Sequence, residues 1–487
     1  MLFRSPSEGD PTGAGPAARS SREWRGLAVR SYRGRPRGNL PEVSDKPKTP
    51  PRRRESRVPV TRTGRLFRMG LTAGTMAVGG LTEGLRRATG GASDKAASAL
   101  LSGANATRLA KRLAHMRGAA MKLGQLLSME SSHVLPPEFA EALSVLRASA
   151  DVMPRTQVKR LLGREYGKGW EARFEDFDFE PAASASIGQV HRARTRKGED
   201  IALKIQYPGV AKSIDSDVDN LAMFLNMARL LPRELDVSDI IEEAKKQLRQ
   251  EADYETEAAN LERYRKLLAD DDRFIVPRVH RNLSTRRILA MDWVEGESLD
   301  QLVHEVVPQD IRNGIAEAIQ DLTFKELYVF RFMQTDPNFA NYLYREEDGR
   351  IALLDLGAAV EFPQPFVDRY RRITRAILDE DRAGVERHAI EIGYLRESDS
   401  ARHKELVVDL IMMVCEPLIE GGAYDFGAST LPKRAAAAGL DIVFRSREYR
   451  NPPAETAVLH RKLGGSFLLC QRLRARVAMR DYLLEKI

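Results

Sequence analysis

QTDPNFANYLYREEDGRIALLDLG, residues 334–357, sets Asp336 and Asn341 five positions apart across a proline and brings in Asp355 after two short apolar runs, Tyr342 to Tyr344 and Ile351 to Leu354. Loops are rich in Asp, Asn and Pro for turn-forming reasons alone, so Asp-x-x-x-x-Asn says little by itself. The flanking runs say more. They predict a hairpin that carries Asn341 and Asp355 to one edge, and an acid where a buried strand meets Gly357 must be exposed or liganded. Acid, amide, acid is the order that phosphoryl transfer from a nucleotide needs. One carboxylate approaches the accepting hydroxyl, an amide oxygen holds a metal ion, and a second carboxylate bridges metal to the β- and γ-phosphates.

Upstream, DIALKIQYPGV (200–210) alternates Ile201, Leu203 and Ile205 with Ala202, Lys204 and Gln206. The alternation predicts a strand with Lys204 on the face opposite the isoleucines. Taken alone, such a lysine is ordinarily a solvated edge residue. Before it, PAASASIGQVHRAR (181–194) runs a loop of small residues into a second strand, Gln189 to Ala193, with a turn at Lys197 and Gly198. Together they are similar to the phosphate-covering hairpin and lysine strand of a kinase small lobe. Ala183, Ser184, Ala185 and Ser186 stand where G-x-G-x-x-G would put glycines. Alanine and serine restrict the positive φ and close approach that glycine permits, so a stiffer loop with an altered nucleotide preference is expected. Downstream, Ser238 to Leu268 predicts one long helix on which Asp253, Glu257 and Asn260 share a face. Glu257 is the natural ion-pair partner of Lys204, while Glu242, Glu243 and Glu255 are read as solvated.

With these pieces in place, the chain resembles the UbiB/AarF/ADCK group of atypical kinases, tied to ubiquinone (coenzyme Q) biology in bacteria and mitochondria. The resemblance rests on MKLGQLLS with Lys122 and Gln125, the Ala-rich loop from Ala183 to Gln189, Lys204, the E-x-D of Glu251 and Asp253 with Glu257, and QTDPNFAN with DLG. It implies that Lys204 pairs with Glu257 and holds the α- and β-phosphates of ATP, that Asp336 is the catalytic-loop acid, and that Asn341 and Asp355 bind Mg2+. It further implies that Lys122 and Gln125 belong to a signature helix packed over the site where a conventional kinase binds a peptide, contacted by Glu251 and Asp253. Residues two apart point roughly 200° apart on a straight helix. Either the helix is distorted there or only one acid reaches Lys122, and Asp253, sharing a face with Glu257, is the expected one.

The departures from conventional protein kinases carry weight too. Gln334 and Thr335 precede Asp336 in place of His-Arg, so no arginine is there to read an activation-loop phosphate. Leu356 follows Asp355 in place of phenylalanine, and no A-P-E segment follows, so the peptide-docking platform is missing. Within the family, DPNFAN departs from DPHPGN while Asp336 and Asn341 keep their places. The 52 residues between Lys204 and Glu257 leave room for an extra helix around Val218 to Leu231.

The expected fold is α+β and bilobal, protein-kinase-like. A family-specific helical extension over 105–171 carries the KxGQ motif, and a small lobe at 172–296 holds a five-stranded antiparallel sheet plus extra helices. A hinge follows near Trp293 to Gly296, where backbone groups around Glu295 bond adenine. A large helical lobe over 297–487 is centred on HEVVPQDIRNGIAEAIQDLTFKELYVFRF (304–332), whose Phe324, Leu327 and Phe330 are core residues.

At 487 residues and 43% apolar, the chain buries a two-lobe core with ease. Residues 1–65 hold 16 Lys and Arg against 6 acids, a net of +10 that leaves −2 for the rest of a +8 chain. That Pro-, Gly-, Ser- and Arg-rich arm is expected to be disordered, either a solvated tail or one attracted to anionic lipid headgroups. No nucleic-acid partner is expected, since the remainder has no basic surplus. Glu8, Asp10 and Glu23 argue against a transit peptide, and no apolar core follows the start as in a secretory signal. Bacterial cytoplasm at the inner-membrane face is the expected compartment, with the mitochondrial matrix as alternative.

Within the 66–104 segment and linker, MGLTAGTMAVGGL (69–81) is shorter than the about 20 residues a spanning helix needs. With one G-x-x-x-G at Gly70 and Gly74 it reads as a weak anchor or a homodimer contact. The C-terminal RKLGGSFLLCQRLRARVAMRDYLLEKI has no long apolar run. Cys415 and Cys470 read as buried thiols, and His191 takes a structural role. Three functions stand open: an ATP-dependent kinase or ATPase supporting quinone-lipid synthesis or handling at a membrane, a protein kinase acting on peptide hydroxyls, and a nucleotide-dependent lipid-binding scaffold without turnover.

Overall fold

The computed structural model describes residues 118, 119, 122, 152–227, 238–303, 307–336, 338–445 and 453–487. The basic arm over 1–65, the segment over 66–104 and Gln125 lie outside the described residues. The first part of the described chain runs α1 (Arg155–Tyr166), β1 (Phe174–Phe177), β2 (Ala183–Ser184), β3 (Gly188–Thr195), β4 (Asp200–Gln206), α2 (Val210–Met227), α3 (Ser238–Glu251), α4 (Tyr254–Leu267), β5 (Phe274–Ile275) and β6 (Ile288–Asp292). Strands β1, β3, β4 and β6 lie side by side with β2 on β3, five antiparallel strands in one sheet.

β4 is central rather than an edge, flanked by β3 and β6, and buried on both faces. Ile201, Leu203 and Ile205 join Val158, Leu162, Trp170 and Phe174 in one core. Ala202 points the other way, into a second core with Ala244, Leu248, Tyr254 and Ala258. Side chains two apart on a strand share a face, so Lys204 and Gln206 look toward α3 and α4. The three apolar side chains of the first face are fully buried, each worth on the order of 2 kcal/mol. They fix the register that aims Lys204.

The extra helix predicted around Val218 to Leu231 is α2, which opens earlier, at Val210, immediately after the Pro208–Gly209 turn. The single helix predicted over Ser238 to Leu268 is broken. α3 ends at Glu251 and α4 starts at Tyr254. The cause is local: Asp253 is the N-cap of α4, its Oδ1 accepting from Thr256 N at 3.0 Å and its Oδ2 from Thr256 Oγ1 at 2.8 Å. A short acid placed this way offers the backbone an alternative to continuing the helix. The carbonyl of Ala252 freed by the break accepts from Gln206 Nε2 at 2.7 Å.

The second part of the chain adds β7 (Glu297–Ser298), α5 (Leu299–Leu302), α6 (Gln309–Phe324), β8 (Phe332–Gln334), β9 (Tyr342–Arg345), β10 (Arg350–Leu353), β11 (Ala359–Glu361), α7 (Gln364–Leu378), α8 (Arg382–Ile392), α9 (Ala401–Val414), α10 (Glu416–Ile419), β12 (Tyr424–Asp425), α11 (Leu431–Arg445), α12 (Ala454–Arg472), β13 (Arg476–Val477) and α13 (Met479–Leu484). β9 and β10 form the hairpin that the apolar runs predict, Tyr342 facing Leu353 and Tyr344 facing Ile351. β7 pairs with β9, and β5 runs parallel to β10, making a four-stranded sheet.

The central helix buries Ile315, Ala316, Ala318, Ile319 and Leu322. Its α geometry stops at Phe324, and the last turn widens to a π turn over Lys325–Val329, closed by Phe330 N donating to Lys325 O at 2.8 Å. The widening turns Glu326 inward to 1% exposure and leaves Val329 at 54%. Phe324 and Leu327 are buried, and Phe330 packs half-buried against the same core. Among the described residues no helix is long and apolar enough to cross a membrane. The architecture is α+β and bilobal, kinase-like.

Candidate active site

Three elements converge on one lysine. Lys204 Nζ, delivered by β4, donates to Glu257 Oε1 at 2.8 Å and Oε2 at 2.9 Å, and to Asp355 Oδ2 at 2.9 Å. Glu257 comes from the first turn of α4 and Asp355 from the segment just after β10. The ring of Tyr254 lies 5.2 Å from the same ammonium, close enough for a cation–π attraction. Burial works against the Lys204 charge, but Asp355 and then Glu257 outweigh it and hold the ammonium well above its usual range. Asp355 is opposed by burial too, yet Lys204 and the backbone N–H of Gly357 at 3.1 Å keep its carboxyl below the usual value. Glu257 behaves otherwise. Burial first, and the Asp355 charge next, push it up to about 8 against the pull of Lys204.

Asp336 and Asn341 face each other across their short loop, Asn341 Nδ2 donating to Asp336 Oδ2 at 3.3 Å. This leaves the Asn341 Oδ1 as the amide's acceptor atom. The loop is stitched to the Asp355 segment at several points. Leu354 N donates to Asn341 O at 2.9 Å, Gln334 Nε2 to Asp355 O at 2.5 Å, and Thr335 Oγ1 to Ala358 O at 2.7 Å. Asn260 Nδ2, from α4, donates to Leu356 O at 2.8 Å and ties the Glu257 helix to the same segment. Sequence reasoning gave Gln334, Thr335 and Asn260 no role in the site. Asn260 was on the right helical face, and that was its one available signal.

Lys122 is 5% exposed and lies 2.8 Å from Glu251 Oε1. Glu251 Oε2 also accepts from Ser186 Oγ, so the signature helix, the end of α3 and the Ala-rich loop meet at one carboxylate. Gly118, on that same segment, is held against the loop: a Cβ there would sit 2.9 Å from Ser186 O. The expectation that Asp253 reaches Lys122 is corrected by this geometry. Asp253 is exposed and its oxygens are engaged by Thr256, because the helix break turns Glu251 toward Lys122 instead.

In the loop, Ala183 and Ser184 pair with Val190 and Gln189, and Ala185 N donates to Gly188 O at 2.9 Å. Gly188 is needed for close approach, since a Cβ would fall 2.4 Å from Ile205 O. Glu295 is exposed and accepts from Arg192 at 2.9 Å and Trp293 Nε1 at 2.8 Å. His191 is fully buried between Asp178 O and Gln189, and burial lowers its pKa, so it is a neutral structural residue.

The residues present fit a divalent cation. Glu251, Glu257, Asp336 and Asp355 bring four carboxylates, answered by the two ammonium groups of Lys122 and Lys204. Burial, joined by the Glu251 and Asp355 charges, raises the Asp336 carboxyl against the pull of Lys122, so a cation beside it would favour its ionised form. Mg2+ bound through one carboxylate and one amide leaves its other positions to phosphate oxygens and water, a common arrangement for nucleotide enzymes. Asp355 and Asn341 would hold it, and it would neutralise charge developing on the phosphates.

The ABC1 atypical kinase-like domain matches residues 145–389. The rat protein named atypical kinase COQ8B, mitochondrial, is 40% identical over 443 residues, covering 91% of this chain and 82% of its own. The Saccharomyces cerevisiae protein named atypical kinase COQ8, mitochondrial, is 38% identical over 427 residues, covering 87% and 84%. A Mycobacterium tuberculosis protein solved in complex with erythromycin superposes with a TM-score of 0.56 at 26% identity, over 81% of this chain and 98% of that one. Matches of this length show that the chain belongs to the UbiB/AarF/ADCK family of atypical kinases.

Proposed function

We propose that the chain binds Mg-ATP in this cleft and transfers or hydrolyses its γ-phosphoryl group in support of ubiquinone synthesis or handling at a membrane. The observation that carries the reading is Lys204 bonded at once to Glu257 and Asp355, beside an Asp336–Asn341 pair stitched to the same segment. In this reading Lys204 holds the α- and β-phosphates and Glu257 aims it. Asp336 receives the acceptor's proton, and Asn341 and Asp355 hold Mg2+. The Ala-rich loop covers the phosphates, and backbone groups near Glu295 bond the adenine.

Buried Lys122, electrostatically coupled to Asp336, stands on the acceptor side and favours a small or lipid acceptor over a peptide. A quinone-like lipid and an anionic membrane surface are the partners proposed, with self-association through Gly70 and Gly74. The relatives' names carry the word mitochondrial and so favour the matrix alternative over the bacterial membrane face.

The test is ATP turnover by purified protein with Mg2+, with and without anionic liposomes and a quinone-like phenol. Lipid is expected to stimulate it, Asp355→Asn to abolish it, and Lys122→Ala to show how far the signature helix restrains it. Equal rates for the wild type and Asp355→Asn would remove the reading.

A further inference from the structure

A second buried ion pair stands apart from the Lys204 cluster. Lys462 Nζ, on α12, lies 3.1 Å from Glu326 Oε2, the two side chains 3% and 1% exposed. Taking both charges out of water is expensive, and replacing such a pair by apolar residues is often neutral or stabilising. Stability alone is therefore a poor reason for it. Its surroundings supply another.

Lys462 also donates to Tyr342 Oη at 3.3 Å, and Tyr342 directly follows Asn341 in the chain. Glu326 Oε1 accepts from Gln334 N at 3.4 Å, two residues before Asp336. The same oxygen accepts from Tyr264 Oη at 2.7 Å, and Tyr264 sits on α4 two turns after Glu257, on the same face. One ion pair thus touches the segment entering Asp336, the segment leaving Asn341 and the helix that carries Glu257. Gln334 extends the chain of contacts to the Asp355 carbonyl through its side chain.

Two features of the backbone serve this pair. The π turn at Lys325–Val329 aims Glu326 inward, and Arg331, just before β8, adopts φ 53°, a costly conformation for a residue with a Cβ. Single π turns of this kind gather at functional sites. α12 is held in turn by Gln320 Nε2 donating to Cys470 Sγ at 3.0 Å and by Arg461 reaching Glu243 on α3 at 3.3 Å. Lys462 also lies beyond residues 145–389, the range matched by the family domain.

We propose that Lys462 and Glu326 are positioning residues for phosphoryl transfer. The C-terminal helix α12, through this pair, holds the Asp336–Asn341 loop in register with Glu257 and Asp355. The inference rests on the reading of Asp336 and Asn341 as the phosphoryl-transfer loop. The ion pair with Glu326 and the charge-assisted bond to Tyr342 act in a buried, low-dielectric setting where both are strengthened. They fix the two ends of the loop without touching nucleotide.

The test compares wild type, Lys462→Met and Lys462→Met/Glu326→Gln in ATP turnover, stability and amide hydrogen exchange. Lys462→Met is expected to lower kcat about 10- to 100-fold, the scale of a small misplacement of reacting groups, with KM for Mg-ATP within about two-fold, since uniform binding is untouched. Exchange should speed up across residues 332–345. The double variant removes the stranded charge and recovers stability, yet its kcat stays low. A double variant whose kcat returns together with its stability overturns the proposal, as does unchanged exchange over 332–345 in Lys462→Met. Should Lys462→Met not fold, Tyr342→Phe removes only the hydroxyl and is expected to show the same kcat loss and the same local exchange in milder form; full activity with unchanged exchange counts against the proposal. Wild-type turnover indifferent to Asp355→Asn would instead fault the site assignment, and hydrogen exchange, which needs no turnover, still decides the role of Lys462.

Discussion

Glu257→Gln is expected to make the protein more stable near neutral pH while abolishing turnover. Glu257 and Asp355 share a single ammonium, Lys204, at 2.8 and 2.9 Å, and Glu257 is fully buried. Burial, then the Asp355 charge, raises the Glu257 carboxyl from its ordinary 4.5 to about 8. A folded pKa above the unfolded one means that folding takes up a proton. The associated stability is complete below 4.5 and is lost as pH rises through about 8. Each pH unit inside that window costs about 1.4 kcal/mol, so the wild type carries a penalty on the order of 3 kcal/mol at pH 7. Glutamine is nearly isosteric and has no proton to take up, and it leaves Lys204 and Asp355 as a balanced pair. The pull of the Lys204 ammonium on the ionised form is already contained in that raised value, and an amide oxygen accepts from Lys204 as the protonated carboxyl does. Urea denaturation is therefore expected to find the two proteins alike within about 1 kcal/mol at pH 5, and the variant ahead by about 3–4 kcal/mol at pH 7.5. A variant that is less stable by the same amount at both pH values would refute the reasoning, because Glu257 would then be a net-stabilising carboxylate at every pH.

Asp253→Ala should cost about 1 kcal/mol through loss of the α4 cap and leave ATP turnover near wild type, whereas Glu251→Gln should change turnover by freeing Lys122; thermal melts and rates on both variants check this, and a turnover loss confined to Asp253→Ala would reverse the assignment. Gly188→Ala puts a Cβ 2.4 Å from the Ile205 carbonyl and should destabilise by more than about 2 kcal/mol, read as a fall in melting temperature; an unchanged melt would show that β3 and β4 can separate. Mg-ATP binding should release protons below pH 8, since a cation favours the ionised forms of Glu257 and Asp336, both raised by burial. Its affinity should rise with pH and level off above about 8. Calorimetry in buffers of different ionisation enthalpy measures the released protons, and zero release at pH 6.5 would contradict the account.

Local periodicity carried much of this architecture. The alternation from Asp200 to Gln206 announced β4, and the apolar runs around Tyr342 and Ile351 announced the β9–β10 hairpin, because side chains of period two leave no other efficient burial. Lys204 and Glu257 were legible as a pair from charge and helical face, and Asp355 as an acid at the end of a buried strand; the burial of Lys204 in a central strand and its direct bond to Asp355 were not, because both depend on neighbouring elements. Features settled by tertiary partners were not legible. The two residues of β5 form a strand only because β10 stands beside them. The π turn at Lys325 exists where Glu326 must meet Lys462, a partner far along the chain on a helix that carries no motif.

The break at Ala252–Asp253 joins these two kinds of information. QLRQEADYETEAANLERY has good helix formers on both sides, and propensity alone favours continuing through. On a continuous helix Glu251 and Glu257 would point roughly 120° apart and could not serve two lysines brought in from separate elements. Ending α3 at Glu251 and restarting α4 at Tyr254 decouples the two phases: Glu251 meets Lys122, and Glu257 meets Lys204. Asp253 caps the restart, and Gln206 takes the orphaned Ala252 carbonyl at 2.7 Å. Gln206 lies two residues from Lys204 on the same face of β4, so one strand both receives Glu257 and satisfies the interruption that aims it. The E-x-D spacing is accordingly read as one ligand for Lys122 followed by one helix cap. Its two acids do different physical work, and substitutions at the two should separate cleanly.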